Sequence, residues 1–508
     1  MKYSNPVIPG FYPDPSICRV GEDYYMVTST FEYFPGVPIF HSRDLVHWRQ
    51  IGHCCTRESQ LPLAGVHSSN GVYAPCLRYH DGRFYMITTN VGGTGHFYVH
   101  TTDPAGEWSD AISVEGRGFD PDLFFEDDGR VYFVREDIVD GGIRLWEIDV
   151  ASGKLIGPEH YIWPGLEDLF CEAPHIYKIN GLYYLMVAEG GTHRGHMVVV
   201  GRSDRLTGPY ESCPSNPVLS HRGHVKHDIQ ATGHADLVQA HDGSWWLVFL
   251  GIRQIWGWHH LGRETFLAPV TWSEDGWPIV NGGKPVELEM DAALPAWQPQ
   301  PAPPVRDDFS GERLGLQWNF RRNPSPGDWS LAERPGRLRL RCSPVTLDDK
   351  ASPVLVCRRQ QHFNCRAVTL LEFSPAAEGE EAGLTVIMNE GHHYEIAVAG
   401  AGGKRRVIVR RRIGDLVAVV ASEDIPAAGA VTLQIEAGPH EYRFGYGVSD
   451  APVRELAKGA TRYLSTEVAG GFTGVYFGMY ATAGGRKSSS CADFDWFDYE
   501  PRPSNSPR

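Results

Sequence analysis

A turn glycine followed by an aromatic-rich apolar run occurs five times in the first half of this chain. The glycines are Gly21, Gly82, Gly129, Gly181 and Gly243, and the runs after them contain DYYMV, FYMI, VYFV, LYYLMV and WWLVFL. Asp-Gly or Asn-Gly turns between strands rich in Tyr, Phe, Trp and Val are typical of β-hairpins. Successive glycines are 61, 47, 52 and 62 residues apart, which suits one four-stranded sheet per repeat. The repeat therefore predicts the five blades of a β-propeller.

A second regularity lies before each turn, where a short apolar strand is predicted to begin. Asp14 lies 7 residues before its turn glycine, and Tyr73, Asp120, Glu172 and His234 each lie 9 residues before theirs. The innermost strands of a propeller run along its central channel. Equivalent residues at the starts of these strands are therefore expected to face one another at one end of the channel.

The sequence changes character after the fifth repeat. Residues 293–305 are rich in proline and alanine, as linkers often are. Short alternating segments such as LRLRC, GLTVIM and VTLQIEA follow, separated by turn residues, and they favour a β-sandwich or jelly roll. A chain of 508 residues is also too long for one core. We predict an all-β protein with a five-bladed propeller over residues 1–292, a linker over 293–305 and a β-sandwich over 306–508.

The charge balance narrows the choice of partner. A net charge of −15 argues against sequence-independent binding to nucleic acid or to an anionic membrane. A neutral partner such as a small oligosaccharide fits better. A basic cluster around Val407-Ile408-Val409 has two interpretations, a nucleic-acid patch or a solvated edge strand that ends in charges, and the edge strand is preferred. Its members are Lys404, Arg405, Arg406, Arg410, Arg411 and Arg412.

Cysteine usage and the start of the chain bear on location. There is no run of about 18 apolar residues and no secretory leader pattern, so we expect a cytoplasmic protein. The ten cysteines are scattered singly apart from Cys54 and Cys55, without the spacing of a disulfide framework. Most of them are expected to be buried thiols.

Three carboxylates stand among the residues that open the predicted inner strands: Asp14, Asp120 and Glu172. Hydrolysis of a glycosidic bond needs two carboxyl groups, one to protonate the leaving oxygen and one to activate water or attack the sugar. Burial and a nearby like charge raise a carboxyl pKa, so Glu172 with Asp120 close by is the candidate general acid. Asp120 would tune that pKa, and Asp14 would be the general base. The alternative for both aspartates is a structural Asx turn.

Four further residues have both a functional and a structural interpretation. Phe31 and Tyr73 are candidate stacking walls for a sugar, or else core packing. His234 is a core histidine, a substrate contact or a ligand for an ion in the channel. Arg263 is a candidate anchor for sugar hydroxyls that also pairs with a carboxylate, or else part of a surface salt bridge.

Several segments together resemble glycoside hydrolase family 43. They are NPVIPGFYPDPSICRVGEDYYMVTSTFEYFPGVPIFHSRDLVHW, FDPDLFFEDDG, EAPHIYKINGLYYLMVAEGGT, ATGHADLVQ and HHLGRETFLAPV. The resemblance runs from about Asn5 to Tyr499. It is greatest to the β-xylosidase and α-L-arabinofuranosidase branch, which carries a C-terminal concanavalin-like sandwich. The resemblance implies a five-bladed propeller, inverting hydrolysis and chemistry that requires no cofactor.

The resemblance also implies roles for single residues. It places the general base on Asp14, the pKa-modulating and orienting carboxylate on Asp120 and the general acid on Glu172. It suggests sugar-hydroxyl contact for Arg263, and it places His234 at the channel, where some relatives hold calcium. It further suggests that the sandwich lends a loop to the pocket, with Phe472 as the candidate contact. Two positions depart from the family's common pattern, Tyr73 in place of Trp and Ala173 in place of Gly.

The sequence therefore predicts an exo-acting enzyme that releases β-D-xylose or α-L-arabinofuranose from xylo- or arabinoxylo-oligosaccharides. Two alternatives remain. One is a retaining propeller glycosidase for another sugar such as a fructoside, in which Asp14 would be a nucleophile. The other is a non-catalytic carbohydrate-binding protein. Self-association into a homo-oligomer is left open.

Overall fold

The computed structural model describes residues 2–137, 139, 141–166, 170–293 and 304–503. Within these ranges nearly all regular structure is β-strand. The exceptions are the 3-10 turns Asn281–Gly283 and Thr461–Leu464 and the single helical turn Thr466–Ala469. The predicted all-β class is confirmed.

Five antiparallel sheets follow one another along residues 16–280, one for each repeat. The first strand of each sheet contacts the first strands of its two neighbours, which closes the five sheets into a ring. The predicted five-bladed propeller is therefore confirmed. Its main strands are Ser16–Val20, Asp23–Val27, Gly36–Ser42 and Arg49–Cys55 in blade 1; Cys76–His80, Arg83–Val91, Gly95–Thr101 and Ile112–Val114 in blade 2; Asp122–Phe125, Val131–Glu136, Ile143–Asp149 and Lys154–Trp163 in blade 3; Glu172–Ile179, Leu182–Glu189, Met197–Ser203 and Glu211–Ser212 in blade 4; and Ile229–Gln239, Trp245–Arg253, Glu264–Trp272 and Pro278–Val280 in blade 5. The short strands Gly71–Val72 and Leu219–Ser220 join blades 2 and 4.

Contacts between the start of the chain and blade 5 complete the ring. Lys2–Ser4 pairs antiparallel with Glu289–Asp291, directly after the last blade. The side chain of Asn5 donates to the carbonyl of Leu267 at 3.0 Å. The two ends of the propeller sequence are therefore joined by strand pairing and by side-chain hydrogen bonds.

The C-terminal part consists of two stacked antiparallel sheets, which confirms the predicted β-sandwich. One sheet has the order Trp329–Ser330, Leu338–Arg341, Cys491–Pro501, Cys365–Glu372, Val431–Ala437, Glu441–Val448 and Arg454–Ala460, with Arg306–Asp307 also paired to Cys491–Pro501. The other has the order Leu416–Asp424, Lys404–Ile413, His392–Ala401, Glu381–Asn389, Tyr476–Thr482, Leu355–Arg359, Asn319–Arg321 and Tyr33–Phe34.

The last strand of that second sheet comes from the propeller. Tyr33–Phe34, in the loop between the second and third strands of blade 1, pairs with Asn319–Arg321 of the sandwich. One hydrophobic cluster also contains side chains of both parts, such as Val27 and Phe477. The two predicted domains thus share a sheet and a core. Most of the predicted linker, residues 294–303, lies outside the described residues.

The basic cluster corrects one expectation. The strand Lys404–Ile413 is not at the sheet edge, because the following hairpin adds Leu416–Asp424 beside it. Several of its charges are paired: Lys404 Nζ lies 2.6 Å from Asp424, and Arg410 lies 2.6 Å from Glu381. These ion pairs favour a structural role over a patch that binds phosphate.

All ten cysteines lie within the described residues and are free thiols. Nine of them are buried and Cys491 is half-buried, as expected from their scattered spacing. Across the described part of the chain, no helix has the length and apolar character required to cross a bilayer.

Candidate active site

The pairing register of the inner strands identifies the equivalent residues of the five blades. In each blade, one residue of the first strand pairs with the same position of the second strand. These equivalent residues are Ser16, Cys76, Asp122, His175 and Asp236. Two residues before them, at the mouth of the channel, lie Asp14, Ala74, Asp120, Ala173 and His234. Tyr73 and Glu172 each come one residue before this position in the sequence. The prediction that they are equivalent to Asp14, Asp120 and His234 is therefore wrong. Counting to the turn glycines misaligned them because the turns differ in length.

The backbone at this opening position is left-handed in four blades. The φ angles are 55° at Asp14, 50° at Asp120, 53° at Ala173 and 48° at His234. Such conformations cost about 1 kcal/mol or more for residues other than glycine, and they persist where the surrounding structure fixes them. The chain therefore holds these residues in strained but defined orientations at the mouth of the channel.

Asp14 is buried and carries two strong contacts. Arg263 Nη1 donates to Asp14 Oδ1 at 2.8 Å, and Ser29 Oγ donates to Asp14 Oδ2 at 2.5 Å. Burial alone would raise the pKa of Asp14, but the Arg263 guanidinium and the Ser29 hydroxyl outweigh it and hold the pKa below its ordinary value. Asp14 is therefore an ionised carboxylate at neutral pH.

Glu172 is the first residue of the strand Glu172–Ile179, and its side chain is 14% exposed, more than those of Asp14 and Asp120. Burial and then the charge of Asp14 raise its pKa to about 7, although Arg263 partly offsets this effect. A substantial share of Glu172 therefore keeps its proton near neutral pH, in the same pocket as an ionised aspartate.

Asp120 lies close enough to these two carboxyls for their charges to affect it. Burial raises its pKa well above the ordinary value, and the charges of Glu172, Glu136 and Asp14 add to the shift. The backbone N–H of Ala173 donates to it and acts in the opposite direction. Because Asp120 and Glu172 each disfavour the ionised form of the other, the pair retains a proton at a pH at which Asp14 is ionised.

Two further residues of the pocket were not predicted from the sequence. Glu136 ends the strand Val131–Glu136 and is 3% exposed, and burial followed by the charge of Glu172 raises its pKa to about 9. His196 Nδ1 lies 3.2 Å from the carbonyl oxygen of Ala231, which can only accept a hydrogen bond. Burial lowers the pKa of His196 to about 3, so the ring is neutral and, with its proton on Nδ1, leaves Nε2 unprotonated. Nε2 lies 3.7 Å from Glu172 Oε1. Neither residue opens an inner strand, so the repeat alignment gave no signal for them.

Three aromatic rings form one wall of the pocket. The ring centroid of Phe31 lies 5.2 Å from that of Tyr73 and 5.8 Å from that of Phe472, and Tyr73 lies 6.1 Å from Phe472. The guanidinium carbon of Arg263 lies 5.5 Å from the Phe31 centroid and 5.7 Å from that of Phe472. Burial, followed by the charge of Asp120, raises the pKa of Tyr73 to about 12, so its hydroxyl stays protonated.

Phe472 reaches the pocket from the sandwich. Its backbone N–H donates to Ser69 Oγ at 2.8 Å, and the N–H of Ser69 donates to Glu32 Oε2 at 3.0 Å. On the far side of the loop, the N–H of Val475 donates to the carbonyl of His260 at 2.9 Å. The loop from the sandwich is thus bonded to two blades of the propeller.

His234 lies between the two aspartates. Its Nδ1 is 3.6 Å from Asp14 Oδ1 and 4.0 Å from Asp120 Oδ2, and burial lowers its pKa to about 4. Calcium prefers six to eight oxygen ligands. His234 supplies only a nitrogen, and Asp14 already pairs with Arg263. These residues therefore fit poorly as a direct calcium site.

Below the carboxylates, further inside the channel, the equivalent residues Asp122, His175 and Asp236 surround Arg78. Its guanidinium lies 2.8 Å from Asp122 and 3.2 Å from Asp236, and it lies 3.0 Å from His175 Nδ1. Cys76, Asp122 and His175 bring together three atoms of metal-ligand type. The Arg78 cation already bonds to two of these three residues, so the group forms a hydrogen-bonded floor beneath the pocket.

All eight residues predicted for the site lie at this end of the channel: Asp14, Phe31, Tyr73, Asp120, Glu172, His234, Arg263 and Phe472. The arrangement places an ionised carboxylate and a carboxyl group that keeps part of its protons near neutral pH beside an aromatic wall, above the Arg78 layer of the channel. That combination suits acid–base hydrolysis of a glycosidic bond.

Comparison with known proteins agrees with this chemistry. Residues 3–278 match the model of glycosyl hydrolases family 43, and residues 306–500 match the β-xylosidase C-terminal concanavalin A-like domain. A non-reducing end α-L-arabinofuranosidase of Bacteroides ovatus is 47% identical over 98% of this chain and 94% of its own length. A xylosidase/arabinosidase of Butyrivibrio fibrisolvens is 40% identical over 98% of this chain and 99% of its own.

The same similarity holds in three dimensions. The solved structure of the Bacteroides ovatus xyloglucan PUL GH43B protein superposes with a TM-score of 0.96 at 46% identity, over 99% of this chain and all of the other. With the propeller, the sandwich and both family models matched over the length of the chain, this protein belongs to glycoside hydrolase family 43.

Proposed function

We propose that this protein is an inverting, exo-acting glycosidase that releases a terminal β-D-xylose or α-L-arabinofuranose from xylo- or arabinoxylo-oligosaccharides. The observation that carries the proposal is the opposite shift of two carboxyl pKa values in one pocket. Asp14 is held ionised by Arg263, whereas Glu172 has its pKa raised to about 7. Two carboxyls whose environments separate their pKa values in this way are typical of a base and an acid acting together.

In the proposed mechanism Asp14 takes a proton from a water molecule as the water oxygen attacks the anomeric carbon. Glu172 gives its proton to the glycosidic oxygen as the bond between that oxygen and the anomeric carbon breaks. Asp14 ends protonated and Glu172 ends ionised, and exchange with solvent restores both groups. Because water enters opposite the leaving group, the configuration of the anomeric carbon is inverted.

Asp120, Arg263 and the aromatic wall have supporting roles in this proposal. Asp120 lies close enough to Glu172 for the Glu172 charge to raise the pKa of Asp120, and its acceptor oxygens can orient a sugar hydroxyl. Arg263 keeps Asp14 ionised and has Thr192 Oγ1 within 3.1 Å. Phe31, Tyr73 and Phe472 offer apolar faces to a sugar ring, with His234 at the base of the pocket.

The dead-ended shape of the pocket supports exo action. Arg78, Asp122 and Asp236 lie across the channel below the carboxylates, and Phe472, which is bonded to Ser69, lies on one side. A chain end fits such a pocket, but the middle of a polysaccharide does not. The relatives named for arabinofuranosidase and for xylosidase/arabinosidase activity support a pentose as the sugar released.

Hydrolysis of 4-nitrophenyl β-D-xyloside and 4-nitrophenyl α-L-arabinofuranoside, measured side by side, tests the proposal. We expect turnover of at least one of them by the wild type and its loss in Asp14→Ala, and the ratio of the two rates names the preferred sugar. Binding of xylo-oligosaccharides without hydrolysis of any glycoside would favour the non-catalytic alternative.

Location, self-association and calcium dependence are further proposals. The ten free thiols support a cytoplasmic location, because disulfides are rare in reducing compartments. The edge strand Leu416–Asp424, whose Leu416 and Val419 are exposed, is a candidate surface for self-association. Sedimentation of Val419→Lys tests it. Calcium dependence is tested by activity after chelation with EDTA, and no step of the mechanism above uses the ion.

A further inference from the structure

Trp256 is the most exposed large hydrophobic side chain in the described part of the protein, at 77%. It lies at the tip of a tight turn in which the backbones of Ile255 and Trp258 bond to each other at 2.8 and 3.2 Å. The φ angle of Trp256 is 52°, and that of Gly257 is 93°. A tryptophan in the left-handed region is strained, and such strain is concentrated at functional sites.

The turn lies at the catalytic end of the propeller. It connects the second and third strands of blade 5, and such connections lie at the end where the first strands begin. Gln254 Oε1 accepts from Arg194 Nη2 at 2.9 Å. Arg194 belongs to the same loop as Thr192, whose Oγ1 accepts from Arg263 Nη1 at 3.1 Å. Trp256 is thus connected to the Arg263–Asp14 pair through one short loop.

The residues on both sides of the Trp256 turn are held by side-chain bonds. Arg253 Nε donates to Glu264 at 2.7 Å, and His259 Nδ1 lies 2.8 Å from Glu467 of the sandwich. The indole packs against His440, with ring centroids 4.0 Å apart. With this ring beside it and 77% of the side chain still exposed, the indole keeps an open surface in a defined orientation.

We propose that Trp256 is a binding platform for a sugar unit on the leaving-group side of the oligosaccharide. The inference rests on the proposed function: when the terminal pentose fills a pocket with a closed floor, the rest of the substrate must extend across the rim. A pyranose ring has a face of C–H groups that packs on a flat, apolar surface, and a rigid indole provides one without ordering a flexible side chain.

The test compares a long with a short leaving group in Trp256→Ala. We expect the ratio of kcat/KM for xylotetraose to kcat/KM for 4-nitrophenyl β-D-xyloside to fall about 10-fold, the upper range of an aromatic stacking contact. If the arabinofuranoside is the faster substrate, an arabinosylated xylotetraose and its nitrophenyl analogue replace this pair. Trp256→Phe should recover most of the ratio.

Tyr79→Ala is the matched control, since Tyr79 is also an exposed aromatic (37%) but lies near the hairpin turn at the opposite end of the channel. Its ratio should equal that of the wild type. An unchanged ratio in Trp256→Ala would overturn the platform while leaving the pentosidase proposal intact. A wild type that hydrolyses neither substrate would instead overturn the proposed function on which the platform rests.

Discussion

At the scale of single residues, the site separates two carboxyl groups by their surroundings. Asp14 is buried and Glu172 is largely so, and this burial alone would raise the pKa of each. Arg263 reverses the outcome only for Asp14, because it bonds directly to that carboxylate at 2.8 Å. Arg263, together with His234 and the Ser29 hydroxyl, thus separates the pKa of the proposed base from that of the proposed acid.

Replacing the proposed acid should affect substrates according to their leaving groups. Glu172→Gln is expected to lose about 10²- to 10⁴-fold in kcat on xylobiose, whose leaving oxygen needs a proton. The loss on a dinitrophenyl glycoside should be far smaller, because that leaving group departs as a stable anion. Rates of the wild type and the variant on both substrates give the comparison. Equal losses on the two would refute the assignment of Glu172 as acid.

The pH profile should follow the two opposite shifts. Asp14 must be ionised, and its lowered pKa keeps it so into the acid range; Glu172 must be protonated, and that form is lost as the pH rises through about 7. We expect kcat/KM to fall above neutral pH, approaching tenfold per pH unit. Arg263 lowers both pKa values, so Arg263→Met should shift both limbs upward. The exposed Arg19→Met serves as the control, and unshifted limbs in Arg263→Met would contradict the account.

At the scale of elements, a loop of the sandwich completes a pocket of the propeller. Phe472 is held by the hydrogen bond from its N–H to Ser69 Oγ, and Ser69 is held in turn by Glu32. A Cβ atom at Gly471 would lie 2.4 Å from Ser69 Oγ, so the glycine permits this close approach. The position of Phe472 in the aromatic wall therefore depends on a bond between two parts of the chain that are 403 residues apart.

Ser69→Ala should loosen this loop without touching the carboxylates. We expect the KM for the pentoside to rise about 5- to 10-fold, in line with the loss of one hydrogen bond of about 1 kcal/mol, with the pH profile unchanged. Ser212→Ala, at an exposed serine on the outer strand of blade 4, is the control. A fall in kcat with a shifted pH profile would show that Ser69 acts on the carboxylates instead.

The fold class and part of the candidate site could be predicted from patterns in the sequence. The five glycine–aromatic turns and the carboxylates near the strand starts follow from local periodicity, so the fold class and the candidates Asp14, Asp120 and Glu172 were predictable. Glu136, His196 and Ser69 occupy no equivalent position in the repeat, and contacts distant in sequence bring them to the pocket. The one-residue offset of Glu172 arose from turn lengths, which a count to the glycine ignores.

At the scale of the whole molecule, the propeller and the sandwich are joined by a shared sheet and a shared apolar cluster. Tyr33–Phe34 extends a sandwich sheet, and one apolar cluster contains side chains of both parts. Removing the sandwich would expose this cluster and remove Phe472 from the pocket. We propose that the boundaries 1–292 and 306–508 mark two structural domains that do not function separately.

Calorimetry tests this view. We expect a single cooperative unfolding transition whose calorimetric and van't Hoff enthalpies agree, because shared cores unfold together. The propeller alone, residues 1–293, should be inactive or insoluble. Two separated transitions in the full chain, or an active isolated propeller, would show that the two parts are energetically independent.

The stereochemistry of hydrolysis tests the central claim most directly. Proton NMR of the first turnovers on xylobiose, or on the α-L-arabinofuranoside if that is the faster substrate, shows which anomer of the pentose is released before mutarotation. The account predicts the inverted anomer, α-xylose from a β-xyloside, because Asp14 activates a water molecule instead of attacking the sugar. Release of the retained anomer would contradict it and would make Asp14 the nucleophile of a retaining enzyme.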